Sequence, residues 1–371
     1  MPQANVQPTV VSYSAAISAC EKGGQWQQAL GLFGAMPQAK VQPNAISYNA
    51  AISACEKGGQ WQQALGLLRA MSQSKVQPDE MSYSGAISAC EKGGQWQQAL
   101  GLFGAMRQAK VQPTVISYSA AISACEKRGQ WPQALGLFGA MPQSKVQPNA
   151  ISYNAAISAC EKGGACEKGG QWQQALGLLA AMPEAKVQPN VMSYSAAIRA
   201  CDKGGQWQQA LGLFETMPRT KVQPTVVSYN DVLDAISAKS HGPHFFVCGL
   251  SANVFPTAMK ATPHTIDLHE LSEGAAQLAV RWWLATLVAP SIGKGLRASE
   301  AFKCIIITGY GRSRKEWSTS DVRAAVLNML RALKLSAGVL ESNAGRLQLV
   351  LRKRDMPLLQ QCFKQEARRR G

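Results

Sequence analysis

The sequence predicts an all-α superhelical solenoid of helix–turn–helix repeats, followed by a small α/β sandwich domain. The first observation behind this prediction is a fixed period, because a tyrosine recurs every 35 residues with one interval of 41. The second is that residues 19–33 (ACEKGGQWQQALGLF) return unchanged at 89–103. Such a period is typical of arrays in which each unit buries its apolar face against its neighbours. The third is a change of pattern after Asn230, where strand-like and helix-like segments alternate.

Each repeat is predicted to fold as two short helices. In the first repeat, apolar residues spaced i, i+3, i+4 and i+7 define one face of the first helix, namely Tyr13, Ala16, Ile17 and Cys20. Glycines in EKGG (21–24) supply the turn, and the second helix begins near Trp26, a core residue, and is predicted to end at Pro37. Helices of roughly 11 residues are too short to be stable alone, so contacts between repeats must hold them.

Two features concern the ends and spacing of the array. The interval of 41 comes from a duplication, because ACEKGG at 159–164 is repeated at 165–170. We interpret it as a lengthened turn that leaves the flanking repeats intact. At the start, MPQANVQP (1–8) aligns with MPQAKVQP (36–43). Residues 1–9 are therefore predicted to be the tail of a truncated or missing preceding repeat.

Composition narrows the functional classes. The net charge is +16, and residues 236–371 hold 20 Lys and Arg against 9 Asp and Glu, which favours a polyanionic partner, nucleic acid before an acidic membrane surface. No apolar run is long enough to span a membrane. Six of the ten cysteines repeat at one position and no C-x2-C occurs, so neither a disulfide framework nor a zinc site is indicated. These cysteines are predicted to be core residues in a reducing compartment.

Two families of repeats have helical hairpins of this size. The tetratricopeptide repeat has a period of about 34 residues and usually a protein ligand. The 35-residue period, the first helix ISYNAAISAC (46–55), the second helix QALGLF followed by AM, and the closing VQPN or VQPD resemble the pentatricopeptide repeat instead. The resemblance covers residues 10–236, as six full repeats plus one first helix. It implies a single-stranded RNA-binding array in which each repeat reads one base.

Two variable positions in each repeat carry short side chains that can hydrogen-bond a base edge. Ser14 lies about 100° around the helix from Tyr13, off the buried stripe. Its series is Ser14, Asn49, Ser84, Ser119, Asn154, Ser195 and Asn230. The second series follows VQP and consists of Asn44, Asp79, Thr114, Asn149, Asn190 and Thr225. The resemblance implies that one residue from each series forms the base-selecting pair of a repeat.

The pairs imply a target sequence. By resemblance, adenine is implied for Ser14–Asn44 and Ser119–Asn149, uracil for Asn49–Asp79, and a pyrimidine for Asn154–Asn190. Ser84–Thr114 and Ser195–Thr225 receive no assignment. The predicted core target is therefore A-U-x-A-Y-x, read 5′ to 3′.

An apolar residue precedes each first selector by three positions, and the resemblance implies that it wedges against the base. This series is Val11, Ile46, Met81, Ile116, Ile151, Met192 and Val227. Ordinary packing at the helix start is the alternative. A lysine also recurs at the turn and is interpreted as a track for RNA phosphates, at Lys22, Lys57, Lys92, Lys127, Lys162 and Lys203. Because each lysine follows a Glu or Asp, a solvated ion pair is its alternative.

The C-terminal part is predicted as a linker or packed cap (237–263), an α/β domain (264–352) and a basic tail (353–371). Within the domain, 264–270 and 345–351 are predicted to be strands and 302–311 a buried strand that ends in a Gly turn, with helices between them. DLHE (267–270), TGYGRS (308–313) and NAGRL (343–347) resemble the small MutS-related (SMR) domain in that order. That family includes nucleases and nucleic-acid binders.

The chemistry of this domain rests on a carboxylate and an imidazole. Asp267 and His269 alternate on the predicted strand, so both can face one side and activate water or hold a metal for phosphodiester cleavage. The resemblance implies nucleic-acid contacts at Thr308, Gly309, Gly311, Arg312, Arg314 and Arg346. Glu270 and Ser313 depart from the family pattern, which favours a domain that only binds RNA. No cofactor is predicted, except a divalent metal if the domain cleaves.

These observations lead to one main hypothesis and two alternatives. The chain is predicted to be a monomeric, sequence-selective single-stranded RNA-binding protein that acts in organellar RNA processing, stabilisation or translation, without a membrane partner. By resemblance the organelle is a chloroplast or mitochondrion, with other RNA-processing proteins as further partners. The alternatives are an endoribonuclease or nickase that uses Asp267 and His269, and a protein-binding helical scaffold.

Overall fold

Paired helices fill most of the chain in the computed structural model. It describes residues 7–163, 171–239, 242–295, 300–308, 321–340 and 343–359. These residues form helical hairpin repeats followed by a small mixed sheet of four strands, so the predicted fold class is confirmed. Two compact units are present, Met1–Ala200 and Cys201–Gly371.

The repeat helices are regular. Their bounds are α1 (Val10–Lys22), α2 (Trp26–Gln38), α3 (Ala45–Lys57), α4 (Trp61–Gln73), α5 (Glu80–Lys92), α6 (Trp96–Gln108), α7 (Val115–Lys127), α8 (Trp131–Gln143), α9 (Ala150–Gly163), α10 (Trp172–Glu184), α11 (Val191–Lys203), α12 (Trp207–Arg219) and α13 (Val226–Ile236). Most have 13 residues, longer than predicted. Helix α2 also passes Pro37 and ends at Gln38, because a proline in the last turn removes only one hydrogen bond.

Packing between repeats follows the predicted apolar faces. Successive first helices contact one another, as α1 with α3 and α3 with α5. Ile52 and Cys55 are fully buried, and burial raises the pKa of the Cys55 thiol to about 11. The thiol is therefore protonated and unreactive at neutral pH.

The tryptophan at the start of a second helix lies against a glycine of the next repeat at Trp26, Trp61 and Trp131. Trp26 is half-buried and packs against the apolar core of the array. A Cβ added to Gly58 of the next repeat would lie only 2.4 Å from Cδ1 of Trp26. Gly93 has the same relation to Trp61. Glycine at this position therefore lets the tryptophan ring close the gap between turns.

The second unit continues with α14 (Gly242–Ser251), α15 (Pro256–Met259), β1 (Thr265–Asp267), α16 (Glu273–Trp283), a π-helical turn (Leu284–Val288), α17 (Ala289–Gly295), β2 (Ala301–Ile307), α18 (Asp321–Ala332), β3 (Ala337–Leu340) and β4 (Asn343–Arg352). The strand order is β1-β2-β4-β3. Strands β1 and β2 are parallel, and β4 is antiparallel to both of its neighbours.

Three details of this unit bear on the sequence predictions. The first strand ends at Asp267 rather than extending to residue 270, since Leu268 and Leu271 turn into the core. The segment 237–263 contains α14 and α15, held by Phe246 and Phe255, which stack with ring centroids 5.6 Å apart. Strand β3 was not predicted, because it is only four residues long. Among the helices that the structure describes, none is long and apolar enough to cross a membrane.

Candidate nucleic-acid interface

A periodic row of apolar side chains is exposed at the start of the first helices. The predicted wedge residues are between 53% and 72% exposed, namely Val11, Ile46, Met81, Ile116, Ile151, Met192 and Val227. Each is the second residue of its helix. The alternative interpretation, packing at the helix start, does not account for side chains that remain this exposed. Apolar side chains exposed at a fixed period are a candidate ligand-contacting surface.

The first-selector position holds two kinds of residue with different environments. Asn49 and Asn154 are half-buried. The serines of this series are buried, and their hydroxyl oxygens have no hydrogen-bond partner: Ser14, Ser84, Ser119 and Ser195. We predicted that these serines lie off the buried stripe, but the short side chain does not extend past its surroundings. A buried hydroxyl without a partner is unfavourable, so it remains available to a ligand that reaches it.

The second-selector residues cap the first helices. The side chains of Asn44, Asp79 and Thr114 accept hydrogen bonds from the backbone N–H three residues later, at 3.0, 2.9 and 3.4 Å. The backbone N–H of the cap residue in turn donates to the hydroxyl of the serine at that third position, which completes a capping box. Sequence reasoning missed this role, although an Asn, Asp or Thr three residues before a serine at a helix start signals it.

The capping serine changes its partner according to the first selector that is paired with its cap residue, which lies in the preceding repeat. Where that selector is serine, the hydroxyl donates to the carbonyl of the cap residue. Ser47 does so to Asn44, the partner of Ser14, at 2.9 Å. Where the selector is asparagine, the hydroxyl donates to the asparagine side chain instead. Ser82 contacts Oδ1 of Asn49 at 2.6 Å, and Ser193 contacts Oδ1 of Asn154 at 2.6 Å. Ser82 and Ser193 are thus positioning residues that the sequence analysis did not identify.

Two of the predicted selector pairs are in direct contact. Nδ2 of Asn49 donates to both carboxylate oxygens of Asp79, at 3.1 and 3.0 Å. Nδ2 of Asn154 lies 3.4 Å from Oδ1 of Asn190. Burial opposes ionisation of Asp79, but hydrogen bonds from Ser82, Asn49 and the backbone outweigh it and lower the pKa of this carboxyl. Asp79 therefore presents a carboxylate, which only accepts hydrogen bonds.

Asn230, the last residue of the first series, has a different environment. Its Nδ2 donates to the backbone carbonyl of Glu270 at 2.7 Å. Its Oδ1 is buried without a hydrogen-bond partner. The amide is therefore already held by the protein.

The turn lysines form ion pairs between repeats. Four of them contact the glutamate of the preceding repeat rather than their own sequence neighbour, since adjacent helical residues do not face each other. The distances are 2.5–2.9 Å for Lys57–Glu21, Lys92–Glu56, Lys127–Glu91 and Lys162–Glu126. The predicted alternative, an ion pair, is therefore present, although with the glutamate of another repeat. The glutamates largely neutralise the charge of these four lysines.

The sheet brings Asp267 and Arg346 to one edge, where β1 and β2 end and β4 begins. Asp267 pairs with Ile307 in the register of β1 and β2, and Ile307 pairs with Arg346 in that of β2 and β4. Nδ1 of His269 contacts Oδ1 of Asp267, whose carboxylate also accepts the His269 backbone N–H at 3.1 Å. His269 follows the strand rather than alternating on it, so a turn brings the two side chains together.

The remaining predicted residues of that edge differ in accessibility. Thr308 is buried and its hydroxyl donates to the carbonyl of Gly345, which makes it a structural residue. Arg346 is exposed. Gly309, Gly311, Arg312 and Arg314 lie outside the described residues. In the part of the chain that the structure describes, no group of three or more His, Cys, Asp or Glu could hold a metal ion.

Family models match most of the helical array. The model described as the pentacotripeptide-repeat region of PRORP matches residues 117–242. The PPR repeat family matches 8–57 and 43–92, and a PPR repeat matches 81–111. No curated protein sequence matches the chain.

Solved structures resemble the chain in fold. The maize pentatricopeptide repeat protein PPR10 aligns with a TM-score of 0.51 and 22% identity, over 87% of this chain and 42% of that one. PPR10 in complex with an 18-nt psaJ RNA element gives a TM-score of 0.46 and 18% identity, over 76% of this chain and 43% of that one. The PPR domain of Arabidopsis thaliana protein-only RNase P 1 in complex with tRNA gives a TM-score of 0.42 and 18% identity, over 48% of this chain and 91% of that one. The chain thus spans less than half the length of PPR10.

Proposed function

The helical array carries pentatricopeptide repeats, and on that premise we propose that the chain binds single-stranded RNA sequence-selectively, with one base for each repeat. The exposed row of wedge residues carries this proposal, since their side chains are 53–72% exposed at the start of successive first helices. A base that rests on such a side chain removes apolar surface from water. Proteins usually hold unstacked RNA bases against aromatic side chains, and in this row valine, isoleucine and methionine would take that place.

The polar pairs beside the wedges supply the selectivity. Asn49 and Asp79 show how, because Asp79 accepts hydrogen bonds and the Asn49 amide is fixed by Ser82. A base edge that offers an N–H group suits this pair, and uracil offers one at N3. The serine repeats instead offer an unpartnered hydroxyl. The proposed target remains A-U-x-A-Y-x.

A binding titration tests the proposal. We expect the full chain to bind a labelled single strand carrying AUxAYx at least about 10-fold more tightly than scrambled strands of equal composition, since one buried mismatch costs about 1–3 kcal/mol. A salt series should give a log–log slope of about −0.7 for each phosphate contacted. Equal affinity for every strand would reject base reading. No affinity for RNA, together with capture of a protein that survives RNase, would favour the scaffold alternative.

For the C-terminal domain we propose an SMR-like module, at residues 264–352, that contacts the RNA chosen by the repeats. Its edge carries an exposed Arg346 beside the His269–Asp267 contact. Arginine binds phosphate, and an imidazole oriented by a carboxylate is the arrangement a general base requires. RNA binding and RNA cleavage are therefore the two activities that this edge supports.

Cleavage has a direct test with a matched control. If the edge cleaves, His269→Ala should abolish nicking of single-stranded RNA in Mg²⁺ buffer. His264→Ala should leave nicking intact, because His264 stacks on Phe302 at the other end of β1. Equal cutting by both variants and the wild type, or no cutting by any of them, would mean that the domain binds RNA without cleaving it.

We also propose, from the family resemblance, an organellar location, in a chloroplast or mitochondrion. The array at residues 10–236, the segment 237–263 and the tail 353–371 would act as one monomeric RNA-processing factor with organellar protein partners. Imaging a fluorescent fusion of the complete gene product checks the location, and a signal confined to the cytosol would contradict it.

A further inference from the structure

A second row of lysines lies at the end of the second helices. Each occupies the position just after the cap residue of its helix, and its backbone φ is between +57° and +64°: Lys40, Lys75, Lys110, Lys145, Lys186 and Lys221. In the first repeat, the Lys40 N–H donates to the Pro37 carbonyl at 3.0 Å and the next N–H donates to the Met36 carbonyl at 2.9 Å. The left-handed conformation is therefore fixed by hydrogen bonds that end the helix. We call these residues the loop lysines.

Glycine is the residue that this position favours. A Cβ disfavours the left-handed region for every L-residue, and glycine is the usual choice after a helix cap. All six described repeat ends have lysine here. Backbone strain at the same position in each repeat suggests a role for the side chain.

The loop lysines carry free charge. All are exposed, and none of them forms an ion pair with any residue that the structure describes. The turn lysines differ, because four of them lie within 2.9 Å of a glutamate carboxylate. The loop lysines are therefore a regularly repeated set of exposed cations without an ion-pair partner among the described residues.

Their placement is close to the proposed base-reading residues. Lys40 precedes the cap residue Asn44 by four positions and the wedge residue Ile46 by six. Four residues span at most about 14 Å of chain, so Lys40 lies within about 14 Å of Asn44 along the backbone. Because α1, α3, α5 and α7 contact one another in succession, the equivalent lysines of successive repeats lie along the same side of the first unit.

We propose that the loop lysines, rather than the turn lysines, bind the phosphates of the RNA strand. The inference rests on the proposed RNA-binding function and names the cations that hold its backbone. Lysine is suited to this task because its ammonium group has three donors and a flexible stem, which tolerates variation in the position of a phosphate.

The test compares two sets of four substitutions with equal loss of charge. One variant changes Lys40, Lys75, Lys110 and Lys145 to glycine, and the other changes Lys57, Lys92, Lys127 and Lys162 to glutamine. Both are titrated with the AUxAYx strand across a salt series. The loop variant should lose about 2.8 from its log–log salt slope, from about 0.7 for each phosphate, and the turn variant less than about 1.

The glycine substitutions in the loop variant also provide a control for folding. Removal of the Cβ relieves the left-handed strain, so the loop variant should melt at a temperature no lower than the wild type while it binds RNA more weakly. Lys→Arg at the same four positions should keep the slope. An unchanged slope in the glycine variant, or a larger loss in the turn variant, would overturn the inference while RNA binding stands. Failure of the wild type to bind any RNA would overturn both.

Discussion

Replacing Ile46, Met81, Ile116 and Ile151 together by serine should weaken binding of the AUxAYx strand by roughly 10³-fold. Full burial of one such side chain is worth about 1.5–3 kcal/mol, and these side chains are 59–69% exposed, so a covering base gains about 1 kcal/mol at each. Four positions then give about 4 kcal/mol, which corresponds to roughly 10³-fold in affinity. Fluorescence anisotropy with labelled RNA measures the loss.

The thermal midpoint of the same variant should shift little, because exposed side chains contribute little to the folded core. A matched control replaces two exposed apolar residues outside the row, Val247 and Met259, which are 42% and 50% exposed. That control should bind RNA like the wild type. Equal losses in both variants would mean that general surface apolarity, and not the wedge row, holds the strand.

The period of the sequence made the array predictable. Once Tyr13 and Tyr48 define a 35-residue register, the buried positions of one repeat apply to all, and the exposed wedge residues follow from the same register. The positions of the selectors were predicted for the same reason. Their environments were not, because the burial of Ser14 depends on how neighbouring helices close around a short side chain.

Apart from the local helix caps, the interactions that sequence reasoning missed connect different repeats. The partner of Lys57 is Glu21, which lies 36 residues earlier and becomes a neighbour only when repeats stack. The bond from Ser82 to Asn49 spans 33 residues in the same way. In the C-terminal domain, the contact between Asp267 and His269 was expected from an alternating strand but arises from a turn after the strand. Residue types were therefore easier to predict than the geometry that joins them.

Asp79→Asn and Asn190→Asp should exchange the base preferences of two repeats. The repeats are those read by the pairs Asn49–Asp79 and Asn154–Asn190. The wild type should prefer uracil to cytosine opposite Asn49–Asp79 by roughly 5- to 150-fold, since a buried unpaired group costs about 1–3 kcal/mol. Cytosine has an acceptor at N3, which faces the Asp79 carboxylate unfavourably. Asp79→Asn adds a donor, so the preference should fall to within about 3-fold, or less than about 1 kcal/mol. Asn190→Asp should instead sharpen the preference for uracil at the Asn154 repeat.

Each substitution retains its helix cap, because asparagine and aspartate are about equally good cap residues, so stability should change little near neutral pH. The lowered pKa of Asp79 adds a pH control. Its ionised form stabilises the fold above the unfolded pKa of about 3.9, and that stabilisation is lost as the pH falls through the lower folded value. Between pH 5 and 8 the preference for uracil should therefore be constant in the wild type. Titrations with strands that differ only at this base measure the preference, and an Asp79→Asn variant that still selects uracil would show that Asp79 caps its helix without reading the base.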